Sequence, residues 1–339
     1  MHDTEKIALS VIIPIFNEYE GIPFLVKSLN DFFEKNDQLR AEVIFVNDGS
    51  NDKSLIRLTE LCHVTYQAKA INFSKNFGSH AALRAGIANA SGGLICFNYA
   101  DLQDPLELIV AMTSKMGEGN DIVWAQREGT SASMAEKLFS KTYAFLMRRF
   151  AFKDFPERGF DIVMFNKKVA NEVNLNVEAN SSIFLQILGL GFRQANITYK
   201  KSERMIGVSK WSLGKKIKLF IDSFVAFSFA PIRLVSIVGL LMFMLGMIWT
   251  VYIIYRKLVY DDLASGWPAI LSILMVGFGI TNISLGVIAE YLWRTLDASR
   301  KRPVFVIDEV VELNTRSSVN KDLELQRRIS DSLVSGISA

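Results

Sequence analysis

Val11-Ile12-Ile13-Pro14-Ile15-Phe16-Asn17-Glu18 is an apolar run that ends abruptly on an amide and a carboxylate. The pattern returns in Val43-Ile44-Phe45-Val46-Asn47-Asp48-Gly49-Ser50 and again in Cys96-Phe97-Asn98-Tyr99-Ala100-Asp101-Leu102-Gln103-Asp104-Pro105. Short continuous runs of Val, Ile and Phe suit strands buried on both faces, as in a parallel sheet covered by helices. Strands are therefore expected at Leu9–Ile15, Val43–Val46, Ala70–Phe73, Leu94–Tyr99, Ile122–Ala125 and Ile162–Phe165. Helical periodicity lies between them at Pro23–Phe33, Lys53–Leu61, His80–Ala90 and Leu106–Met116. Ser50 or Asn51 can cap the second of these, and Pro105 can open the last. Strand–helix alternation of this kind predicts a three-layer α/β domain.

Ligands of open α/β sheets bind outside the carboxyl ends of the strands. A carboxylate there can accept from a ribose hydroxyl or a base N–H, or bind a hard cation through oxygen. For one Asp-Gly-Ser alone, ordinary turn chemistry is the simpler account. Three acidic strand ends on one sheet edge argue for a site.

Composition narrows the class further. The formal net charge of the 339 residues is only +3, so no global basic field points to nucleic acid. Half of the residues are hydrophobic, high for a water-soluble chain. Cys62 and Cys96 cannot make a disulfide framework or a zinc pattern, and both are read as small core residues. The first ten residues contain Asp3, Glu5 and Lys6 and no long apolar core. They do not read as a signal peptide, so the N-terminal domain is expected to stay on the side where it is made.

Two apolar spans follow. Ile232–Tyr255 has 24 residues with only Arg233, beside its start, and Trp267–Leu292 has 26 with only Glu290 near its end. Each exceeds the roughly 20 residues that cross a bilayer as a helix; two buried core helices are the alternative. An eleven-residue connection, Arg256–Gly266, makes the pair a hairpin. Lys215, Lys216, Lys218 and Arg233 precede it and Arg294, Arg300, Lys301 and Arg302 follow, against Arg256 and Lys257 in the connection. The positive-inside rule then puts both termini in the cytoplasm. Gly239 with Gly246, and Gly279 with Gly286, give each helix a small-residue stripe that permits close contact within or between subunits. Leu213–Phe229 opens on lysines and ends on phenylalanines, as a helix lying in the headgroup layer does; a solvated domain helix has the same amphipathicity. The expected organisation is a catalytic domain over 1–212, an interfacial helix over 213–230, a transmembrane hairpin over 231–293 and a tail over 294–339. The tail begins with a strand-like run, Val304–Val311, to which no function attaches.

The stretches VIIPIFNE, VNDGSNDKS, NFSKNFGSHAALRAGI, ADLQDP and GVSKW, in this order and followed by the apolar hairpin, resemble the polyprenyl-phosphate glycosyltransferases of glycosyltransferase family two. The likeness, to the group related to dolichol-phosphate mannose synthase, runs from about Leu9 to Pro303. It implies a GT-A nucleotide-sugar domain, a mostly parallel sheet with helices on both faces. By the same resemblance Pro14, Asn17 and Glu18 border the nucleotide, and Asp48 contacts the base or ribose. Asp101 and Gln103 match positions that hold a divalent cation, Mg²⁺ or Mn²⁺, on the diphosphate, with Asp104 beside them. The family usually has an acid two residues before Asp101, where this chain has Tyr99; Asp104 or water can replace that ligand.

Asp161 matches the aspartate of an Asp-Phe-Arg stretch, often given the role of catalytic base, although the arginine is Val163 here. A phosphate monoester acceptor has its second pKa near 6 and is mostly dianionic at neutral pH, so it needs positioning more than proton removal. Asp161 can equally orient the acceptor or the sugar. Cations must accompany such a dianion toward a diphosphate: Arg127, matching a family arginine, and Arg204, Ser209 and Lys210 in the Arg…Gly-x-Ser-Lys-Trp pattern. General attraction to anionic headgroups is the alternative for these residues. Lys75 and Arg84 read as surface charge.

The expected activity is therefore inverting transfer of a sugar from a UDP- or GDP-sugar to undecaprenyl or dolichyl phosphate at the cytoplasmic membrane face. A homo-oligomer is compatible with that reading. A processive polysaccharide synthase is the nearest rival, but its Gln-x-x-Arg-Trp motif is missing. A non-catalytic partner subunit of a glycan pathway is the rival from another class. A transporter lacks the embedded charges and internal repeats it needs.

Overall fold

The computed structural model describes residues 7–61, 66–128, 134–152, 155–156, 162–177, 181–200, 266–300 and 303–313, with isolated positions between 235 and 259. The chain alternates β1 (Leu9–Ile15), α1 (Ile22–Lys35), β2 (Ala41–Asn47), α2 (Ser54–Leu61), β3 (Gln67–Phe73), α3 (Ser79–Ala88), β4 (Leu94–Phe97) and α4 (Glu107–Gly117). It continues through β5 (Ile122–Arg127), α5 (Met134–Phe150), β6 (Ile162–Asn166), α6 (Lys167–Leu175), α7 (Ile183–Gly189) and β7 (Gln194–Tyr199). A 33-residue helix, here α8 (Trp267–Ser299), and β8 (Ile307–Leu313) complete it.

The strands form one sheet in the order β7-β5-β6-β4-β1-β2-β3-β8. β1 pairs in parallel with both β2 and β4, β2 with β3, and β5 with β7. Only β6 and β8 run antiparallel to their neighbours. Strands buried on both faces explain why each apolar run is unbroken. Val11, Ile13, Val43, Phe45, Cys96 and Val123 enter one core layer with Leu25, Leu29 and Met112 of α1 and α4. Their neighbours Ile12, Ile44, Val46, Phe97 and Trp124 enter the opposite layer with Ala82 and Leu83 of α3 and Ile187 of α7. Period-two alternation thus divides one run between two cores.

Three expectations need correction or limit. Arg84, read as surface charge, is 3% exposed, with one guanidinium nitrogen donating to the Val173 carbonyl at 3.2 Å and another to Gln186 Oε1. The cause is the cover that α6 and α7 lay over α3, since Val173 and Gln186 belong to those two helices. The strand-like run at Val304–Val311 is not free tail; its larger part becomes β8, the edge strand beside β3. Among the residues whose side chains are described, no helix is long and apolar enough to cross a membrane. Residues 213–230 and Cys62 lie outside the described residues.

A buried ion pair ties the opposite end of the sheet together. Glu42, 4% exposed, accepts from the Ser10 hydroxyl at 2.6 Å and from Ser91 N–H at 2.6 Å, and meets Lys69 Nζ at 3.1 Å. Burial works to raise its pKa, but Ser10, Ser91 and Lys69 outweigh it and leave the carboxyl below its ordinary value. Glu42→Ala leaves Lys69 with the Asn89 carbonyl but no counter-charge and deprives two donors of their acceptor, so a loss of about 3–5 kcal/mol is expected in thermal or denaturant unfolding. Because the folded pKa is depressed, this stability is present above the unfolded value of 4.5 and lost as pH falls through the folded one. The variant should therefore show a flatter acid limb than the wild type.

Candidate active site

The sheet has a switch point between β1 and β4. From β1 the chain builds outward through β2 and β3, then returns to β1's other side with β4. Connections diverge at such a point and leave a crevice outside the strand ends. The edge it opens onto carries Pro14–Glu18 after β1, Asp48–Ser50 after β2, Asn98–Asp104 after β4, Arg127 closing β5 and Tyr199 closing β7. β6 starts at this edge too, with Ile162 opposite Ala125.

Asn17 has φ +52°, a left-handed conformation that asparagine tolerates better than most residues. It is pinned twice: its N–H donates to Ser50 Oγ at 2.9 Å, and its Oδ1 accepts from Asn51 N–H at 2.8 Å. Glu18 N–H donates to Ser54 Oγ at 2.9 Å, and Tyr19 N–H to Asp52 Oδ2 at 3.3 Å. The turns after β1 and β2 are thus one hydrogen-bonded body, with Asn17 and Glu18 half-buried at its surface.

Asp48, expected against the base or ribose, is engaged by donors of the protein itself. It is 3% exposed and accepts from Phe77 N–H at 2.7 Å, Gly78 N–H at 2.9 Å and Asn76 Nδ2 at 3.0 Å. Its carboxylate builds the loop between β3 and α3. Burial pushes its pKa up to about 6, against the pull of the Phe77 and Gly78 amides.

Asp101 and Gln103 flank Leu102, whose φ of +52° is a strained value for a branched side chain. Gln103 N–H donates to Asp101 Oδ1 at 3.3 Å, and both side chains are half-buried on the opening edge. One carboxylate and one carboxamide are hard oxygen donors, and a cation such as Mg²⁺ often takes only one or two carboxylates beside substrate phosphates. These residues fit that role. Asp104 does not join them: it is 1% exposed and accepts the Tyr199 hydroxyl, a tie across to β7. Among the described residues no three acids, histidines or cysteines cluster into a metal site. Tyr99, where an acid was expected, packs half-buried against the α3-side core. Val163, in the place of an arginine, is fully buried in the same layer.

Arg127 is half-buried and pairs in register with Tyr199. Lys75 is exposed, its ammonium 5.1 Å from the Phe77 ring centre, as a surface charge should be. Asp161, Arg204, Ser209 and Lys210 lie outside the described residues.

One residue here carried no sequence signal. His80, in the first turn of α3, has its ring 6.0 Å from that of Phe184, and Nδ1 has no hydrogen-bond partner among the described residues. Burial first, and Arg84 second, lower its pKa from 6.5 to about 4. Between those values the unfolded chain binds the extra proton, so His80 costs stability as pH falls from 6.5 toward 4. Asp48, with its raised pKa, acts in the opposite sense between 3.8 and about 6, binding the extra proton when folded. His80→Gln removes only the first effect. Its Tm relative to the wild type should rise steadily on acidification through that window, and a constant difference would refute the assignment.

The region from 10 to 173 matches the family model for glycosyl transferase family 2. A protein of Bacillus subtilis described as an uncharacterized glycosyltransferase, YkcC, is 33% identical over 90% of this chain and 95% of its own length. The chain belongs to glycosyltransferase family 2. Its family 2 relatives include an Escherichia coli K12 protein described as a prophage bactoprenol glucosyl transferase homolog, 29% identical over 89% of this chain and 99% of that one. A solved glucosyl-3-phosphoglycerate synthase from Mycobacterium tuberculosis, in complex with Mn²⁺, UDP and glucosyl-3-phosphoglycerate, overlaps more loosely, with TM-score 0.46 and 17% identity. That overlap covers 64% of this chain and 77% of the synthase. As a family 2 member the protein is a glycosyltransferase.

Proposed function

We propose that this family 2 glycosyltransferase moves a sugar from a UDP- or GDP-sugar onto a polyprenyl phosphate at the cytoplasmic face of a membrane. The observation that carries the acceptor is the near full-length match to proteins described as bactoprenol glucosyl transferases, which extends well beyond the family 2 region. A similarity confined to the nucleotide-sugar domain would say nothing of the acceptor.

In this reading the nucleotide lies across the switch point, against the pinned turn at Asn17 and Glu18 with Pro14 beneath. Asp101 and Gln103 hold a divalent cation, which neutralises charge building on the departing nucleoside diphosphate. Arg127 from β5, with Arg204, Ser209 and Lys210, steers the acceptor phosphate, and its charged oxygen displaces the nucleotide in one step with inversion. Asp161 orients acceptor or sugar. With the phosphate already ionised, holding the two anions in line is the main task of the chain.

Membrane attachment through the interfacial helix and the hairpin is part of the proposal, as are cytoplasmic termini and self-association. Several features support attachment. α8 begins where the second apolar span begins, and exposes Ile270, Ile273, Leu274, Phe278, Ile283 and Leu285. In the first span Ile237, Leu241, Leu245, Ile248 and Tyr252 are also exposed. So much contiguous exposed apolar surface marks a lipid- or partner-facing region. β8 runs antiparallel to β3, so the chain arriving from α8 enters the sheet at the same edge as the switch point. A lipid-borne phosphate would have to arrive from that side.

The test is direct. Purified protein in detergent is incubated with a panel of nucleotide-sugars, a short polyprenyl phosphate and Mn²⁺ or Mg²⁺, and the lipid fraction is weighed by mass spectrometry. One added hexose or related sugar, from one donor, is expected. Failure of every donor with either metal would reject the assignment.

A further inference from the structure

The C-terminal strand brings a carboxylate into the site's hydrogen bonding. Along the β3–β8 pairing, Asn72 stands opposite Glu309 but Phe73 stands opposite Ile307, so Asp308 is an extra residue in a bulge. Bulges re-aim side chains, and they recur at sheet edges and beside active sites. Here the bulge turns Asp308 toward the end of β3, where Asn72 Nδ2 donates to its Oδ2 at 3.3 Å. The flanking chain is fixed in place: Phe305 stacks on Phe73 with ring centres 5.4 Å apart, and Ser74 N–H donates to the Val306 carbonyl at 3.2 Å.

From Asp308 the bonding continues inward in one direction. Asn47 Nδ2 donates to Asn72 Oδ1 at 2.7 Å, and the Ser50 hydroxyl donates to Asn47 Oδ1 at 2.5 Å. Asn17 N–H then donates to Ser50 Oγ at 2.9 Å. Four bonds, every donor facing the same way, run from the left-handed residue at the end of β1 to a carboxylate on β8. In such a chain each link polarises the next, and an anion at the accepting end strengthens all of them. Asn47 and Asn72 are also oriented by it, since each amide uses oxygen toward one neighbour and nitrogen toward the other.

We propose that Asp308 is a positioning residue for the donor: through Asn72, Asn47 and Ser50 it holds the Asn17 turn in the conformation that receives the nucleotide. The inference rests on the reading above only in taking that turn as the nucleotide's seat. By linkage, nucleotide binding must stabilise the seating of β8 as much as β8 favours the nucleotide.

Full-length Asp308→Ala and Asp308→Asn are compared with the wild type; asparagine can still accept from Asn72 through Oδ1. Three quantities are read: hydrogen exchange of the peptide spanning Asn17, affinity for UDP and GDP, and the kinetics of transfer. Asp308→Ala should speed exchange at Asn17 and raise the donor KM and the nucleotide Kd about five- to tenfold, the scale of one ordinary hydrogen bond, since Asp308 is exposed. Its kcat, acceptor KM and Tm should stay near the wild-type values, and Asp308→Asn, which keeps the acceptor but not the charge, should restore most but not all of the donor KM. Unchanged exchange at Asn17 overturns the relay. Faster exchange with unchanged nucleotide affinity overturns its role toward the donor. A general loss of protection over 307–313 with a fall in kcat also overturns it, because Asp308 would then merely hold the strand. A wild type that transfers no sugar rejects the proposed function instead, and the exchange result still decides the relay.

Discussion

Asp101→Ala should lower sugar transfer by about a hundred- to a thousandfold, the scale seen when a group that stabilises developing charge is removed. The side chain sits half-buried on the opening edge, beside a backbone already strained at Leu102. It pairs with Gln103 as the oxygen donors suited to a divalent cation. Truncation here removes charge from the crevice without opening the core, so Tm should move by no more than a few degrees. Asp104→Asn is the control three residues away. Asp104 is buried against Tyr199, so its loss should appear chiefly as lower stability. Titrating Mn²⁺ against both variants separates them: only Asp101→Ala should demand more metal. Substantial transfer by that variant at ordinary metal concentration would remove Asp101 from the chemistry.

Gly49→Ala should be the most destabilising single-methyl change in the nucleotide-side turns. Gly49 has φ +61°, and a Cβ there would lie 2.3 Å from the Lys75 carbonyl carbon and 2.5 Å from Asn76 N. Both are backbone atoms, so no side chain can swing aside. The two turns would have to separate, and separation breaks the bonds from Asn76, Phe77 and Gly78 to the buried Asp48 carboxylate. Backbone strain and unpaired buried charge together suggest a loss of about 3 kcal/mol or more, or roughly 10 °C in Tm. Thermal unfolding in detergent measures it. A change below about 2 °C would show that the turns can move apart freely.

Much of the fold was legible because its signals are local. β1 spans Leu9–Ile15 as its sequence predicts, and α1 to α4 begin and end within two residues of expectation. Unbroken apolar runs and their polar stops fix such elements without knowledge of partners. The partner of the strand-like run after Val304 was not legible, since the Asn72–Asp308 bond joins residues 236 apart in the chain. Arg84 was misread for a related reason: its burial comes from Val173 and Gln186, 89 and 102 residues further along the chain. The site divides in the same way. That Asp48 and Asp101 follow parallel strands that open on one sheet edge could be read from the pattern; which partners each carboxylate takes could not. Asp48 faces its own protein, and Asp104 faces Tyr199. His80 left no trace beyond its place in a small-residue helix.

The position of β8 also bears on how the protein is made. Ribosomes deliver the chain from its N-terminus, and domains tend to consolidate as they emerge. β1 to β7 can assemble while the later segments are still in the tunnel. β3 must then wait with one side bare until residues 307–313 arrive. A bare strand edge invites pairing with the wrong chain. On the proposed membrane attachment, any delay in handling the long apolar stretch would prolong that exposure, so that insertion and completion of the globular domain become successive stages of a single maturation event.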